Sequence, residues 1–158
     1  MKRRAGILQQ VGGFLGIIFL TLIAKRFGRK PALALAMICG FLGATFVFYT
    51  FQDRSQITWL WLLLGFCTLM PFGGFAIYFP ELFPTSLRST GVSFCYNVGR
   101  YITAFGPILL PWMAIRLHGH YEISGFRLAA LILCSAYFIG LVALIWAPET
   151  KDQPLPQD

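Results

Sequence analysis

The stretch that decides the fold is a polar turn, which reads Pro80-Glu81-Leu82-Phe83-Pro84-Thr85-Ser86-Leu87-Arg88-Ser89-Thr90-Gly91. Long uncharged runs flank this turn, over residues 55–80 before it and over residues 89–99 and 101–115 after it. Arg100 interrupts the second run, and an arginine at that depth in a bilayer requires a partner or a function. The pattern predicts two membrane-spanning helices joined by a short charged turn.

The composition extends this prediction to the whole chain of 158 residues, which is 57% hydrophobic and only 12% charged. A soluble domain carries roughly twice that charged fraction. A helix needs about 20 apolar residues to cross the bilayer core, and its backbone groups must be satisfied internally there. We therefore predict an all-α, polytopic membrane protein with five transmembrane helices, at about 5–23, 32–51, 57–79, 89–115 and 127–147, followed by a polar, frayed tail at 148–158.

Several other classes of protein are excluded by where the charged and reactive residues lie. The net charge of +7 comes from basic residues in short loops beside the spans, which is the membrane-protein pattern and not a nucleic-acid surface. The four cysteines lie inside the spans without metal or redox spacing. His118 and His120 supply too few ligands for a metal site in their loop. We predict no catalytic residue, no metal and no cofactor.

The fourth span carries a polar stripe on one helical face. Its members follow one another at steps of three or four residues, which places them along one side of a helix. A one-sided polar stripe in a span faces other helices or a wet cavity, so the candidate cavity-lining residues here are Ser93, Asn97 and Arg100. Arg100 either binds an anionic group of a solute or is a structural arginine that reaches back to the interface, and Asn97 shares either role.

Glycine and proline mark two further positions. Gly12 and Gly16 in the first span form a small-xxx-small pair that lets helices approach closely. The cluster Pro71-Phe72-Gly73-Gly74 predicts a kink or a break in the third span, as expected where backbone lines a cavity. Gly73 and Gly74 are therefore also candidate cavity-lining residues, although bending is the role that we favour for them over contact with a solute.

Charge counting leaves the orientation open. With the tail inside, the inner and the outer segments each carry six basic residues when Arg100 is excluded, so the positive-inside rule does not decide. The tie comes from Lys2, Arg3 and Arg4. The N-terminus is therefore either an inner end with a first segment that does not span, or an artificial start within a longer chain.

Three stretches resemble a known family. Residues 25–30, Lys-Arg-Phe-Gly-Arg-Lys, are similar to the basic loop between the eighth and ninth helices of major facilitator superfamily transporters. Residues 78–85 with Arg88 and Gly91 are similar to the link between the tenth and eleventh helices. Residues 148–151, Pro-Glu-Thr-Lys, resemble the sugar-porter signature after the twelfth. The chain departs from the family pattern in three places, with Thr21 for a glycine, Lys25 for an acidic residue and Asp152 for a glycine.

The resemblance is to the C-terminal half of such a transporter, closest to sugar and organic-acid proton symporters, including sialic-acid-type carriers. It implies that residues 1–158 form a partial C-terminal bundle equivalent to helices eight to twelve of twelve. It further implies transport of a small polar solute, a sugar or an organic acid, by alternating access. The implied partners are the lipid bilayer, the solute, a proton and the missing N-terminal half, and the implied location is the bacterial inner membrane with a cytoplasmic C-terminus.

In this family, charged inner loops form latches in one state and release them in the other. By resemblance, the latch candidates are Glu81 and Arg88 on one side and, on the other, the basic loop residues Arg26, Gly28, Arg29 and Lys30. The predicted spans contain no Asp or Glu. Proton coupling usually requires a titratable group within the membrane, so a coupling carboxylate is expected in the missing half.

Two other functions remain as alternatives. The first is a non-transporting helical membrane protein that associates with a partner half. The second is an intramembrane enzyme, which requires a nucleophile with an oriented base. Ser93 has no histidine within its span, which counts against the enzyme.

Overall fold

The computed structural model describes residues 2–51, 56–117 and 124–156. Most of these residues are helical, none forms a strand, and five helical stretches are long and apolar enough to cross a membrane, at 4–27, 29–50, 58–82, 88–116 and 125–146. The predicted all-α class with five transmembrane helices is thus confirmed. The helices are α1 Lys2–Phe27, α2 Arg29–Thr50, α3 Ile57–Leu82, α4 Arg88–Thr103, α5 Gly106–Arg116, α6 Gly125–Cys134 and α7 Ala136–Trp146.

The tightest packing joins α1 to α3 through glycine. A Cβ on Gly12 would overlap the backbone of Leu62, and a Cβ on Gly65 would overlap the carbonyl of Gln9. Gly16 faces the backbone of Phe66 in the same way. The predicted close approach at Gly12 and Gly16 is confirmed, because backbone lies against backbone where no side chain intervenes.

The core sits between α1, α2, α3 and α7. Its largest fully buried side chains are Leu20, Leu33, Val47, Leu60 and Met70. A second cluster joins α2, α3 and α7 through Leu33, Met37, Tyr78 and Leu144. By contrast, neither α4 nor α5 contains a buried residue. The fourth span therefore lies at the side of the bundle, with both of its faces largely uncovered by the described residues.

The third span does not break at its proline and glycines. α3 runs from Ile57 to Leu82 through both Pro71 and Pro80. Pro71 is buried, Gly73 packs against Ile17, and Gly74 packs against Leu20 and Leu33. Pro71, Gly73 and Gly74 are thus buried within the bundle while Phe72 is exposed, and packing of neighbouring helices is what allows proline inside a membrane helix.

The last two spans are each interrupted. The fourth is divided at Ala104 and Phe105, just before Gly106 and Pro107. The fifth is divided at Ser135, which the sequence did not indicate. There the Ser135 hydroxyl and its N–H both donate to the carbonyl of Ile132, at 2.6 and 3.0 Å. Such bonding to the preceding turn competes with the regular helical ladder.

Two predicted irregular segments are ordered. The basic stretch at 25–30 is helical except at Gly28, which separates α1 from α2. The beginning of the tail, predicted to fray, is held by hydrogen bonds from Pro148 to Lys151. The prediction failed because the partners of these residues lie more than 60 positions away in sequence.

Candidate functional site

An ion pair joins α2 to α3 at one end of the bundle. The guanidinium of Arg29 donates from Nη2 to Oε1 of Glu81 at 2.8 Å, and its Nε lies 3.2 and 3.1 Å from the two carboxylate oxygens. The side chains are 21% and 18% exposed. Arg29 also donates from Nη1 to the carbonyl of Ala24 at 3.1 Å, so its planar donor group is used on two sides.

Glu81 lies on a helix and not in the predicted loop. Because α3 extends to Leu82, its carboxylate belongs to the last turn of that helix. Thr150 donates its hydroxyl to Oε2 of Glu81 at 2.5 Å. One carboxylate therefore binds α2 on one side and the segment after α7 on the other.

A second carboxylate, Glu149, caps the start of α2. Its Oε1 accepts the backbone N–H of Arg29 at 2.8 Å, and its Oε2 accepts that of Lys30 at 3.0 Å. Oε1 also accepts the N–H groups of Thr150 and Lys151, at 3.1 and 3.0 Å. These bonds satisfy donors that a helix N-terminus leaves open, in the position that a helix dipole favours for negative charge.

These contacts shift the ionisation of Glu149. Partial burial raises the pKa of the Glu149 carboxyl, but the four backbone N–H groups outweigh that effect. The net result is a pKa below the ordinary value, because hydrogen bonds to the charged form favour it. Glu149 is therefore an ionised capping group near neutral pH.

Gly28 makes room for this cap. Its φ of 109° and ψ of 166° belong to a region that essentially only glycine occupies. A Cβ at this position would lie 2.8 Å from Oε2 of Glu149. We call Arg29, Glu81, Glu149 and Thr150 the four-residue network, and the end of the bundle that carries it the network end.

Two further bonds attach the segment after α7 to the network end, and a third attaches the last turn of α7. The Tyr78 hydroxyl donates to the carbonyl of Pro148 at 2.6 Å. Lys151 Nζ donates to the carbonyl of Arg26 at 2.8 Å, and Lys30 Nζ donates to the carbonyl of Ile145 at 3.0 Å. The start of the tail thus contacts α1, α2 and α3 together.

The remaining latch candidates are placed differently. Arg26 is exposed, with its guanidinium 5.5 Å from the centre of the Phe27 ring. Arg88 begins α4, and its Nε and Nη2 are buried without a hydrogen-bond partner among the described residues. Of the predicted pairings with Glu81, the structure contains the one to Arg29. A latch role for Arg26, Lys30 and Arg88 stays a prediction.

With this geometry established, comparison with known proteins identifies the family. The model of the Major Facilitator Superfamily matches residues 5–157, which is nearly the whole chain. The chain belongs to the Major Facilitator Superfamily.

Curated relatives from this superfamily are transporters. The chain is 32% identical over 137 residues to the inner membrane metabolite transport protein YhjE of Escherichia coli, covering 85% of the chain and 30% of that protein. It is 30% identical over 142 residues to the cis,cis-muconate transport protein of Acinetobacter baylyi, covering 89% and 32%. It is 32% identical over 149 residues to the putative niacin/nicotinamide transporter NiaP of Bacillus subtilis, covering 94% and 35%. The chain thus spans about a third of the length of these relatives.

The polar stripe of this superfamily member lies away from the four-residue network. Ser93, Asn97 and Arg100 on α4 are all exposed. The amide of Asn97 donates to the carbonyl of Ser93 at 2.9 Å. The stripe therefore points away from the packed core of the described residues, and its role in lining a cavity stays a prediction.

Gly73 and Gly74, two of the three glycines of α3, are buried among helices. Gly73 and Gly74 face aliphatic side chains of α1 and α2 within the bundle. Their predicted contact with a solute is untested. His118 and His120, which were judged too few to bind a metal, lie outside the described residues.

Sequence reasoning missed the capping role of Glu149 and the contribution of Thr150. Both belong to the Pro-Glu-Thr-Lys stretch, which carried part of the family resemblance. That resemblance was the one signal in the sequence that could have pointed to these two residues. Their function was not evident because their partners, Arg29 and Glu81, lie 120 and 69 positions away.

Proposed function

We propose that this chain forms part of a secondary transporter that moves a small polar organic solute across a membrane by alternating access. In this proposal the four-residue network is a latch at the cytoplasmic end of the bundle. The latch holds α2, α3 and the tail together in one conformation and opens in the other. The proposal assigns no catalytic step to the chain.

The observation that carries the proposal is the double engagement of Glu81 by Arg29 and Thr150. Both contacts are side chain to side chain, so they separate without unfolding a helix. The side chains of Arg29 and Glu81 are 21% and 18% exposed, so solvent still reaches the pair, and breaking it costs about 1 to 3 kcal/mol. A contact of that strength suits a reversible switch, since a transporter must leave each of its states readily.

For the solute we favour an organic acid over a sugar. Arg100 supplies a planar guanidinium within the fourth span, and this group binds carboxylates through two parallel hydrogen bonds. The relative from Acinetobacter baylyi is named for an organic acid, cis,cis-muconate. A sugar remains the alternative, since Asn97 and Ser93 offer neutral donors and acceptors on the same face.

We also propose proton coupling, with the coupling carboxylate outside this chain. Within the described candidate spans, Glu81 is the acidic residue present, and it is engaged by Arg29. A coupling group must instead exchange a proton during transport. The expected partner is an N-terminal half that packs against this chain in the inner membrane, with the tail in the cytoplasm.

The test is uptake of labelled solutes by proteoliposomes under an inward proton gradient. The panel contains muconate, other organic acids and neutral sugars. One set of liposomes holds the chain alone, and a second holds the cis,cis-muconate transport protein with its matching segment replaced by this chain. Uptake by either set supports the proposal if a protonophore, which dissipates the proton gradient, abolishes it. An inserted, folded chain that gives no uptake in both sets contradicts it.

A second candidate function, association with a partner half without transport, is favoured by one observation. α4 and α5 contain no buried residue, although they belong to a span long enough to cross the membrane. Such a helix is expected to pack against other protein. The chimera decides between the two, because a purely associating protein would assemble in it without restoring muconate uptake.

A further inference from the structure

We propose that residues 152–156, which we call the strap, form a cover over the Arg29–Glu81 ion pair that controls how readily the latch opens. The proposal deepens the latch of the proposed function and assigns a regulatory role to a segment beyond the Pro-Glu-Thr-Lys stretch.

The strap begins with a tight turn. The N–H of Gln153 donates to the carbonyl of Thr150 at 3.3 Å, and Asp152 has a φ of 60°. Among the described residues other than glycine, Asp152 is the one with a positive φ, so Lys151 has a negative φ. A negative φ followed by a positive φ is the signature of a type II turn, in which glycine is the preferred third residue. Aspartate tolerates this conformation better than most residues.

The turn directs the chain back towards the ion pair. Arg29, Glu81 and Thr150 line a cleft of about 270 Å³ together with five residues of the strap, Asp152, Gln153, Pro154, Leu155 and Pro156. The strap residues are themselves exposed. They therefore lie at the surface beside the cleft that the ion pair also lines, and not in the core.

The composition of the strap suits a cover that attaches weakly. Pro154 and Pro156 have a fixed φ and no backbone N–H, so the segment is stiff and leaves few donors unsatisfied. A stiff segment loses little conformational entropy when it stays in place. The chain is anchored just before the strap by Thr150 and Lys151, which hold Glu81 and the carbonyl of Arg26. The strap can thus swing away while the anchor remains.

The consequence is a latch whose strength depends on tail position. In this proposal the strap narrows the cleft and limits how much bulk water reaches the ion pair, and charge-assisted hydrogen bonds are stronger where water is excluded. With the strap displaced, the pair is hydrated and separates more easily. Anything that draws the tail away would therefore favour the open latch.

Hydrogen–deuterium exchange of the full chain in lipid nanodiscs tests this without requiring transport. A chain that ends at Gln153 is compared with the intact chain and with a matched control that ends at Pro156. We expect the shorter chain to exchange about fivefold faster at the amides of Arg29, Lys30 and Leu82, which report local opening. The control should match the intact chain.

Substitutions at the turn provide a second, independent measurement. Asp152→Gly permits the positive φ, so the amides should stay as protected from exchange as in the intact chain. Asp152→Val disfavours a positive φ and should therefore reproduce the effect of truncation. Unchanged exchange in both the truncated chain and Asp152→Val would overturn the proposal. Faster exchange throughout α3 would overturn it too, since the tail would then stabilise the whole fold. Neither result bears on whether the protein transports a solute.

Discussion

The carboxylate of Glu149 occupies the space into which a side chain on residue 28 would project, with Oε2 2.8 Å from the position of a Cβ on Gly28. The missing side chain at Gly28 and the acidic side chain at Glu149 are therefore two parts of one arrangement. The glycine both separates α1 from α2 and admits the group that caps α2.

Gly28→Ala should destabilise the protein for two reasons. Alanine is strained at a φ of 109° and a ψ of 166°, and its Cβ would displace the cap. We expect the free energy of unfolding to fall by about 1 to 3 kcal/mol, measured by thermal or chemical unfolding in detergent. Gly6→Ala is the matched control, because a Cβ on Gly6 meets nothing within 4 Å. Equal stability of the two variants would contradict this account.

Stability should fall at acid pH through Glu149. Its pKa is lowered in the folded state, so the carboxylate contributes stability that is fully present above the unfolded pKa of about 4.3. That contribution is lost as the pH falls below this value and through the folded pKa. Unfolding measured from pH 7 to pH 3 should show a shallower decline in Glu149→Gln than in the original chain. Asp152→Asn, which removes a carboxylate that is 86% exposed, serves as the control. Parallel curves for Glu149→Gln and the original chain would argue against the capping role.

Glu81→Gln should loosen the network end without unfolding the bundle. The substitution removes the charge that Arg29 binds and leaves a partly buried guanidinium with a weaker acceptor, at a cost of about 1 to 3 kcal/mol. A cysteine introduced for the buried Ala32 would report this as faster maleimide labelling, read from the mass of the peptide containing residue 32. Thr90→Ala, at an exposed position of α4, is the control. Labelling that Glu81→Gln does not accelerate would count against the latch.

Gly65→Ala should disturb the contact between α1 and α3. The added Cβ would overlap the carbonyl of Gln9, so the two helices must move apart. Overpacking of this kind costs about 1 to 3 kcal/mol. Gly99→Ala adds the same group to α4, where nothing lies within 4 Å, and should be close to neutral. The unfolding midpoints of the two variants are compared in one detergent. An unchanged midpoint for Gly65→Ala would show that the contact between α1 and α3 adapts freely to the added group.

Arg100→Ala should reduce uptake of an organic acid about tenfold or more, in keeping with loss of a charge-assisted contact. Arg100→Lys should recover part of the activity, because it keeps the charge but not the paired geometry. Arg116→Ala removes an exposed arginine from the end of α5, where its guanidinium lies 5.4 Å from the centre of the Trp112 ring, and should leave uptake unchanged. Full activity of Arg100→Ala in the muconate chimera would assign Arg100 a structural role instead.

The positions of the spans were predictable because each depends on its own composition. A run such as residues 128–148 is uncharged over a length that crosses a bilayer, and no distant residue is needed to reach that conclusion. The involvement of Glu81 and Arg29 at one site was likewise available from the charged stretches that carry the family resemblance. The break at Ser135 was not predictable from the sequence, since this position lacks the proline or glycine that marks the break before Gly106.

The amino-acid sequence by itself determined that this chain lies in a membrane as five helical spans, because the absence of water there leaves the backbone no other partner than its own helix. Only the tertiary structure decided that α3 stays unbroken at Pro71, that Glu149 caps α2, and that the start of the tail is held by hydrogen bonds. Each of these depends on groups distant in sequence that meet only after the helices have packed. Hydrogen bonds and close packing act over a few ångströms in space, and sequence separation says little about which residues will lie within that range.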